Sequence, residues 1–526
     1  MSLRFEEEVA RRRTFAIISH PDAGKTTITE KILFNGQIIR EAGEVKGKKG
    51  TKAATSDWMT MEQERGVSIT SSVMNFDYKG LRVNLLDTPG HKDFGEDTYR
   101  TLHAADCTAM LIDAAKGVES QTRKLYEVCR LRQIPVFTFA NKVDREGIDP
   151  LDLIDDVEKT LGMSCYPVTW PIGMGGLFKG LYHRFNKKLY LFTKGVDLPE
   201  IIDVTGWQDP VIKDRVGDEL YAQFAETIEL LEGALPDFSK ELFLSGKISP
   251  MTFGSAKNNW GVDLFLDLFC EYAPEPDVRQ ISTGSLDPKD KSFSGFVFKI
   301  QANMDRKHRD RVAFIRICSG TFDRGMKVYH SRLEREIRLS YATQFLAQDR
   351  ETVEVAYSGD IVGITDTGNF QIGDTVTEGK KFQFEKIPRF APEIFGRLNI
   401  KDPLKRRKMH EAVQHLVEEG LIQFFYNPSI GRQDAILGVL GDLQFEVLLY
   451  RLEDEYGLEA KLEKLPYELA RWVFDENKKP YFEPPKGVND LYFDNFENPV
   501  ILLQNEWDLK WLERDNPKLS FSTIPS

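Results

Sequence analysis

The sequence predicts a multidomain α/β-plus-β chain: a parallel α/β domain with an insertion, then a β-barrel domain, then a ferredoxin-like α+β C-terminal domain. Three observations predict it. Up to about residue 275, short apolar runs alternate with helical stretches, the pattern of a parallel sheet covered by helices. Between about 293 and 368 the runs are short, β-rich and punctuated by glycine, a barrel signature. From about 390 the order is strand, helix, strand, strand, helix, the split βαβ arrangement. At 526 residues the chain is too long for one hydrophobic core and suits roughly three to four units.

The elements follow in order. Strand candidates of the first domain are TFAII (14–18), LRVNLLD (81–87), CTAMLID (107–113), IPVFTFA (134–140), CYPVTW (165–170) and PMTFGS (250–255). The stretch 172–249 exceeds what the basic repeat requires and reads as an insertion. A Pro-containing linker, YAPEPDVRQ (272–280), leads into FSGFVFKI (293–300), RVAFIRICSG (311–320), MKVYH (326–330) and DIVGITDTG (360–368). In the third domain IFGRLNI, LIQFFYN and AILGVLG are the strands, with helices over 402–419 and 442–455. Asp402 followed by Pro403 makes a good N-cap and first helical residue, and Gly420 a good stop. The aromatic, acidic tail 465–526 carries no pattern that places it. The expected domain boundaries are 1–278, 279–388 and 389–526.

Composition narrows the function classes. With 41% hydrophobic and 29% charged residues, the chain reads as an ordinary globular one. No 18-residue apolar run and no apolar signal core are present, so a cytoplasmic location without membrane contact is expected. The five cysteines (107, 129, 165, 270, 318) form no C-x-x-C pair, which suggests neither a disulfide frame nor a zinc site. A net charge of −12 argues against wholesale nucleic-acid binding. Four basic clusters stand out against it: Arg11–Arg13, VKGKKGTK (45–52), DRKHRDR (305–311) and KDPLKRRK (401–408).

Residues 19–27, SHPDAGKTT, carry the chemistry furthest, because they lie between a strand and a helix. Backbone N–H groups of a tight loop and the following helix N-terminus surround a polyphosphate. Ser19, His20, Pro21, Asp22, Ala23, Gly24, Lys25, Thr26 and Thr27 are therefore the expected phosphate cradle, although Ser19 stands where the loop pattern wants glycine. Lys25 would reach the β- and γ-phosphates and the Thr26 hydroxyl would ligate Mg²⁺.

Three further motifs follow in order, each after an apolar strand. In DTPGH (87–91), Asp87 ends its strand at the carboxyl edge of the sheet, where open α/β folds bind ligands. Asp87 can support Mg²⁺ through water, the Gly90 N–H can sense a γ-phosphate, and His91 would lie beside the attacking water; Thr88 and Pro89 complete the turn. In NKVD (141–144), Asp144 can accept hydrogen bonds from guanine N1–H and its 2-amino group. Asn141 braces the base and loop, Lys142 can lie along the base plane, and Val143 completes the motif. Adenine lacks both donors and would leave Asp144 unpaired, so guanine wins by at least about tenfold to a hundredfold. In Ser255, Ala256 and Lys257, a backbone N–H can donate to guanine O6. ERGVSIT (64–70), between the loop and DTPGH, offers a hydroxyl that could complete the Mg²⁺ shell.

R-G-x-[ST]-I-T, D-T-P-G-H and N-K-x-D on this spacing resemble the translational GTPases. Within them, SHPDAGKTT, SDWMTMEQERGVSIT, LDTPGHKDFGEDTYRTL and FKIQANMDRKHRDRVAFIRICSG resemble the bacterial peptide chain release factor 3 family, from Arg11 to about Trp472. The resemblance implies a P-loop GTPase domain with an insertion, a β-barrel second domain and a third α/β domain. It implies a ribosome-dependent GTPase of translation termination, with GTP/GDP and Mg²⁺ as cofactors. The implied partners are the ribosome and class I release factors: GTP binding changes the factor's shape and ejects them after peptide release, and hydrolysis resets it. The factor is expected to be a monomer off the ribosome. By motif match Lys25, Gly90 and His91 serve catalysis, while Thr26, Asp87 and either Ser68 or Thr70 hold Mg²⁺. Most relatives have threonine where Ser68 stands. No arginine finger is identifiable, so slow intrinsic hydrolysis accelerated by the ribosome is expected. The loop 45–70 is expected to order around a γ-phosphate.

Overall fold

The computed structural model describes residues 4–36, 39, 61–62, 68–196, 198–302, 311–340, 342–346 and 349–524. Its first sheet has seven strands in the order Ser72–Tyr78, Leu81–Asp87, Arg12–Ser19, Cys107–Asp113, Val136–Asn141, Ile248–Phe253, Ser164–Pro167. All neighbours are parallel except the edge pair Ser72–Tyr78 and Leu81–Asp87, which is antiparallel. Every residue of Cys107–Asp113 and Val136–Asn141 is buried, as central parallel strands covered on both faces require. The chain runs from Arg12–Ser19 to Leu81–Asp87 on one side and then to Cys107–Asp113 on the other. This reversal opens a crevice at the strand carboxyl ends.

Two details depart from the strand assignments above. Ser72–Tyr78 was not expected as a strand; it is an added edge whose pairing with Leu81–Asp87 turns on the tight positive-φ pair Lys79 and Gly80. CYPVTW divides in two: Ser164–Pro167 completes the first sheet, while Thr169–Ile172 opens a separate four-stranded antiparallel sheet with Gly180–His183, Lys188–Leu191 and Glu200–Asp203. That sheet, with helices Pro210–Val216, Asp218–Ala234 and Lys240–Leu244, is what the stretch 172–249 builds. It packs on the first domain through Trp170 and Phe253, whose rings lie edge to face at 5.5 Å.

The barrel strands Ser294–Ala302, Arg311–Ser319, Lys327–His330 and Ile361–Thr365 lie where the glycine-punctuated runs were, in one antiparallel sheet with four more short strands. In the third domain the strands Ala460–Leu465, Ile394–Ile400, Ile436–Val439 and Gln423–Tyr426 are neighbours in that spatial order, all antiparallel, with helices Arg406–Glu418 and Asp442–Asp454. This is the ferredoxin-like arrangement. Asp402 caps the turn Pro403–Lys405 by accepting from Leu404 N at 3.0 Å. The unplaced tail extends the same sheet with Tyr492–Asp494, Pro499–Leu503, Leu469–Phe474 and Ser520–Ser522. Its anchor is Trp472, almost wholly buried, whose indole N–H donates to Asp494 at 3.0 Å.

Buried polar groups join the first domain to the barrel. Arg316 and Arg279 both clasp Asp106, at 2.5 and 2.9 Å, and Thr14 donates to Gly359 O at 2.8 Å. Arg12 pairs with Asp360 at 3.1 Å, and Arg11 with Asp77 at 3.0 Å. Arg12 and Arg13 of the basic run are spent on internal partners, Arg13 donating to Ala10 O and Arg12 O, while Arg11 pairs with Asp77 at the surface.

Candidate functional site

The strand register sets the site. Ile17 lies opposite Asp87, Ser19 opposite Leu111, and Asp113 opposite Asn141. Side chains from four consecutive strand ends therefore converge on one edge, and the loop Ser19–Gly24 crosses it before helix Lys25–Asn35 begins. Two residues of that loop have left-handed backbone, Asp22 at φ 64° and Gly24 at φ 103°. At Gly24 the need for glycine is double, because a Cβ there would collide with the Asn141 side-chain amide.

Lys25, Thr26, Ser68 and Asp87 form a compact buried cluster. Lys25 Nζ lies 2.6 Å from Asp87 Oδ1 and 3.2 Å from Ser68 Oγ, and the Thr26 and Ser68 hydroxyls are 3.3 Å apart. One carboxylate and two hydroxyls are hard oxygen donors of the kind a phosphate-bound Mg²⁺ uses, so the residues present fit that ion. Thr70 points elsewhere: its hydroxyl donates to Glu62 Oε1 at 3.5 Å, and its N–H donates to the same oxygen at 3.1 Å. Of the two hydroxyls left open by the sequence, Ser68 is the one brought to Thr26. The loop residues 45–60 and 63–67, including VKGKKGTK, lie outside the described residues.

Asn141 is the hub of the base-side half. Its Nδ2 donates to Ala23 O at 2.8 Å, and its Oδ1 accepts from Lys142 N at 2.9 Å and Ala256 N at 2.8 Å. One side chain thus locks the phosphate loop, NKVD and Ser255–Lys257 together. Asp144 accepts from Ser255 Oγ at 2.6 Å, which fixes the carboxylate while leaving its other oxygen for a ligand. Lys142 reaches Asp22 O at 2.5 Å and Asp113 Oδ2 at 2.7 Å, bridging the loop to a strand end. Asp113 was missed from the sequence. The signal was present, since it ends the apolar run CTAMLID just as Asp87 ends LRVNLLD.

Other members contribute backbone or packing. Val143 is fully buried in the core, Thr88 Oγ1 donates to Ile17 O at 2.6 Å, and Lys257 is exposed. The His20 ring turns to Glu119 at 3.4 Å and its backbone N–H donates to Thr122 Oγ1 at 3.1 Å, so both are held by neighbours outside the loop. Gly90 lies against Pro21: a Cβ there would come within 3.6 Å of the proline backbone. Thr27 follows Thr26 in the first helical turn, half-buried. His91 caps the turn Lys92–Phe94, its Nδ1 accepting from Asp93 N at 3.3 Å, which leaves Nε2 for a second partner. Asp93 in turn accepts from Leu443 N at 3.0 Å, at the start of the third domain's helix Asp442–Asp454. Burial pushes the Asp93 carboxyl up, but the His91 ring, when it carries a proton on Nδ1 3.3 Å from Asp93 Oδ1, and the Leu443 N–H outweigh it and hold it below its ordinary value.

Comparison with known proteins agrees with the fold. The family described as Elongation factor Tu GTP binding domain matches residues 10–275. Elongation factor G domain 2 matches 292–379, and Class II release factor RF3, C-terminal domain, matches 384–513. Peptide chain release factor 3 of Cyanothece sp. is 49% identical over 531 residues, spanning 100% of this chain and 97% of its own. That of Symbiobacterium thermophilum is 50% identical over 520 residues, spanning 98% of each. A crystal structure from Thermus thermophilus shares the fold, with a TM-score of 0.70 at 24% identity, over 92% of this chain and 72% of that one. The chain belongs to the peptide chain release factor 3 family of translational GTPases.

Proposed function

We propose that this chain binds GTP with Mg²⁺, drives class I release factors off the ribosome after peptide release, and is reset by hydrolysing the GTP. The observation that carries this is the buried cluster of Lys25, Thr26, Ser68 and Asp87 beside the guanine-side hub at Asn141, on a chain with two further domains. In this reading Thr26, Ser68 and Asp87 hold Mg²⁺, which when bound neutralises charge on the phosphate oxygens. Lys25 takes the β/γ-phosphates, the Gly90 N–H meets the γ-phosphate, and Asp144, braced by Ser255, reads guanine. His91 Nε2 orients the attacking water once its ring is placed.

Phosphoryl transfer to water needs positioning and charge neutralisation rather than covalent help. The His91 ring, held by Asp93 in a half-exposed turn, is not clamped over the phosphate site. Isolated protein should therefore turn over GTP slowly, and ribosomes should raise the rate by about 10³-fold or more, the scale of missing transition-state help. The deciding experiment is release of a bound class I factor from post-hydrolysis ribosomes. GTP and a non-hydrolysable analogue should both eject the factor, with only GTP allowing repeated rounds. Ejection with neither nucleotide would sink the proposal.

A further inference from the structure

The segment Ser68–Ser71 is gripped from three directions, none of them a nucleotide contact. Glu62 Oε1 accepts from Ile69 N at 2.9 Å and Thr70 N at 3.1 Å. Asp97, on helix Gly95–Ala104 just after DTPGH, accepts from Ser71 N at 2.9 Å and Ser71 Oγ at 2.6 Å. From the barrel strand Ser294–Ala302, Lys299 donates to Ser71 O. Three successive backbone N–H groups are thus held by two carboxylates, and the next carbonyl by a buried ammonium.

The charges explain why a lysine is there. Asp97 and Glu62 both face Lys299, with Glu419 and Arg100 beyond. Two carboxylates converging on one short segment repel unless a cation lies between them. Burial pushes Lys299 below its ordinary value, yet three carboxylates act to keep it charged. Lys299 is 5% exposed and stands between Phe298 and Ile300, both core residues, so it interrupts the strand's apolar run. Within the barrel its ammonium meets only the Phe314 ring face, 5.8 Å from the centroid, while its hydrogen bond and its facing carboxylates come from outside the barrel, which marks a demand from there.

We propose that Lys299, acting with Asp97 through Ser71, is a positioning residue that holds the Ser68 hydroxyl at the Mg²⁺ and γ-phosphate end of the site. The inference rests on Ser68 being the switch Mg²⁺ ligand. It makes the barrel a part of γ-phosphate recognition: the side chain that recognises GTP over GDP is set from another domain. GDP, which lacks the group Ser68 serves, should be indifferent to Lys299.

The test uses full-length protein, fluorescent GDP and a fluorescent non-hydrolysable GTP analogue, titrated at several Mg²⁺ concentrations. Ser68→Ala, Lys299→Met, Asp97→Asn and the Ser68→Ala/Lys299→Met double variant are compared. Lys299→Met should weaken the GTP analogue by about tenfold, the scale of one lost charge-assisted hydrogen bond, and GDP by less than about twofold. It should also raise the Mg²⁺ needed for the analogue, and the double variant should be no weaker than Ser68→Ala alone. If Ser68→Ala itself leaves the GTP/GDP ratio unchanged, the ligand assignment fails and the inference falls with it. If Ser68→Ala changes the ratio while Lys299→Met shifts both nucleotides equally, or adds in full to Ser68→Ala, the positioning role alone is overturned. Should Lys299→Met not fold, Asp97→Asn is judged on the same ratio.

Discussion

Asn141 shows how much one side chain can decide. It satisfies Ala23 O, Lys142 N and Ala256 N at once, within a site where it is 2% exposed. Asn141→Ala leaves all three backbone groups without that partner, each worth about 1 kcal/mol when made and more when orphaned. Guanine-nucleotide affinity should fall by roughly 100-fold or more by equilibrium titration with GDP. A loss smaller than about threefold would show that the three segments hold themselves. Gly24→Ala should fail at the same hub from the other side, since its Cβ would collide with the Asn141 amide. At this scale the sequence was readable where a motif is local. NKVD, DTPGH and the phosphate loop each occupy a few consecutive residues at a strand end, so their gathering at one sheet edge can be read without knowing the fold. Lys299 could not be found that way, because the atom it serves lies 228 residues away and no periodicity links them. Asp113 and Asp97 were overlooked for the same reason: a carboxylate in a sequence shows its charge and not its partner.

Single elements carry their own consequences, and the insertion's sheet is one. His183, on strand Gly180–His183, is buried and held as the neutral ring, its Nδ1 accepting from Asn186 N at 3.2 Å. Burial lowers its folded value from 6.5 to about 4. The unfolded chain therefore binds the proton more readily than the folded one. The stabilisation is complete above pH 6.5 and is lost as pH falls toward 4, at about 1.4 kcal/mol per pH unit. His183→Gln should flatten the fall in melting temperature between these limits; an unchanged slope would assign acid sensitivity elsewhere. The helix Arg406–Glu418 carries a different tension. Lys405, Arg406, Arg407 and Lys408 crowd its N-terminal end, where the helix dipole disfavours positive charge, and Leu404 beside them is 94% exposed. A cost of this kind in an exposed element fits contact with a phosphate backbone. Arg406→Glu should stabilise the isolated protein by several tenths of a kcal/mol, whereas Arg407→Glu also replaces the Glu411 ion pair with a like charge and should gain nothing; the double variant should weaken ribosome binding and lower its salt dependence. Unaltered salt dependence would remove this cluster as a contact. Of the barrel's basic cluster, residues 305–310 lie outside the described residues, and Arg311 is engaged by Asp366 at 2.9 Å and by Glu418. Helices and strands with strong local patterning were legible in the sequence, whereas the tail was not. Its strands pair with Gln423–Tyr426 and with one another, and no strand can be placed before its neighbour is known.

Over the whole molecule, the nucleotide domain and the barrel are joined by buried charges rather than by a flexible linker alone. Asp106, with no side-chain exposure, immediately precedes strand Cys107–Asp113 and is clasped by Arg316 from the barrel and Arg279 from the connecting segment. Arg316 also donates to Gly359 O at 2.6 Å, so its guanidinium serves both sides of the junction. Net gain from such a buried pair is small, but removing one partner is costly, because the remaining charge stays desolvated. Arg316→Met keeps the volume and removes the cation, leaving Asp106 with Arg279 alone. About 3 kcal/mol of coupling should be lost, against a smaller cost for Asp106→Asn, which removes the buried charge itself. Coupling of this size decides whether two domains unfold together. In calorimetry, the first domain and the barrel should melt as one transition in the natural sequence. They should separate into two in Arg316→Met, with the barrel shifting more than the nucleotide domain, since GDP still stabilises the latter by mass action. A single transition lowered by less than about 1 °C in the variant would mean that apolar contact, not the Arg316–Asp106 pair, holds the domains in register.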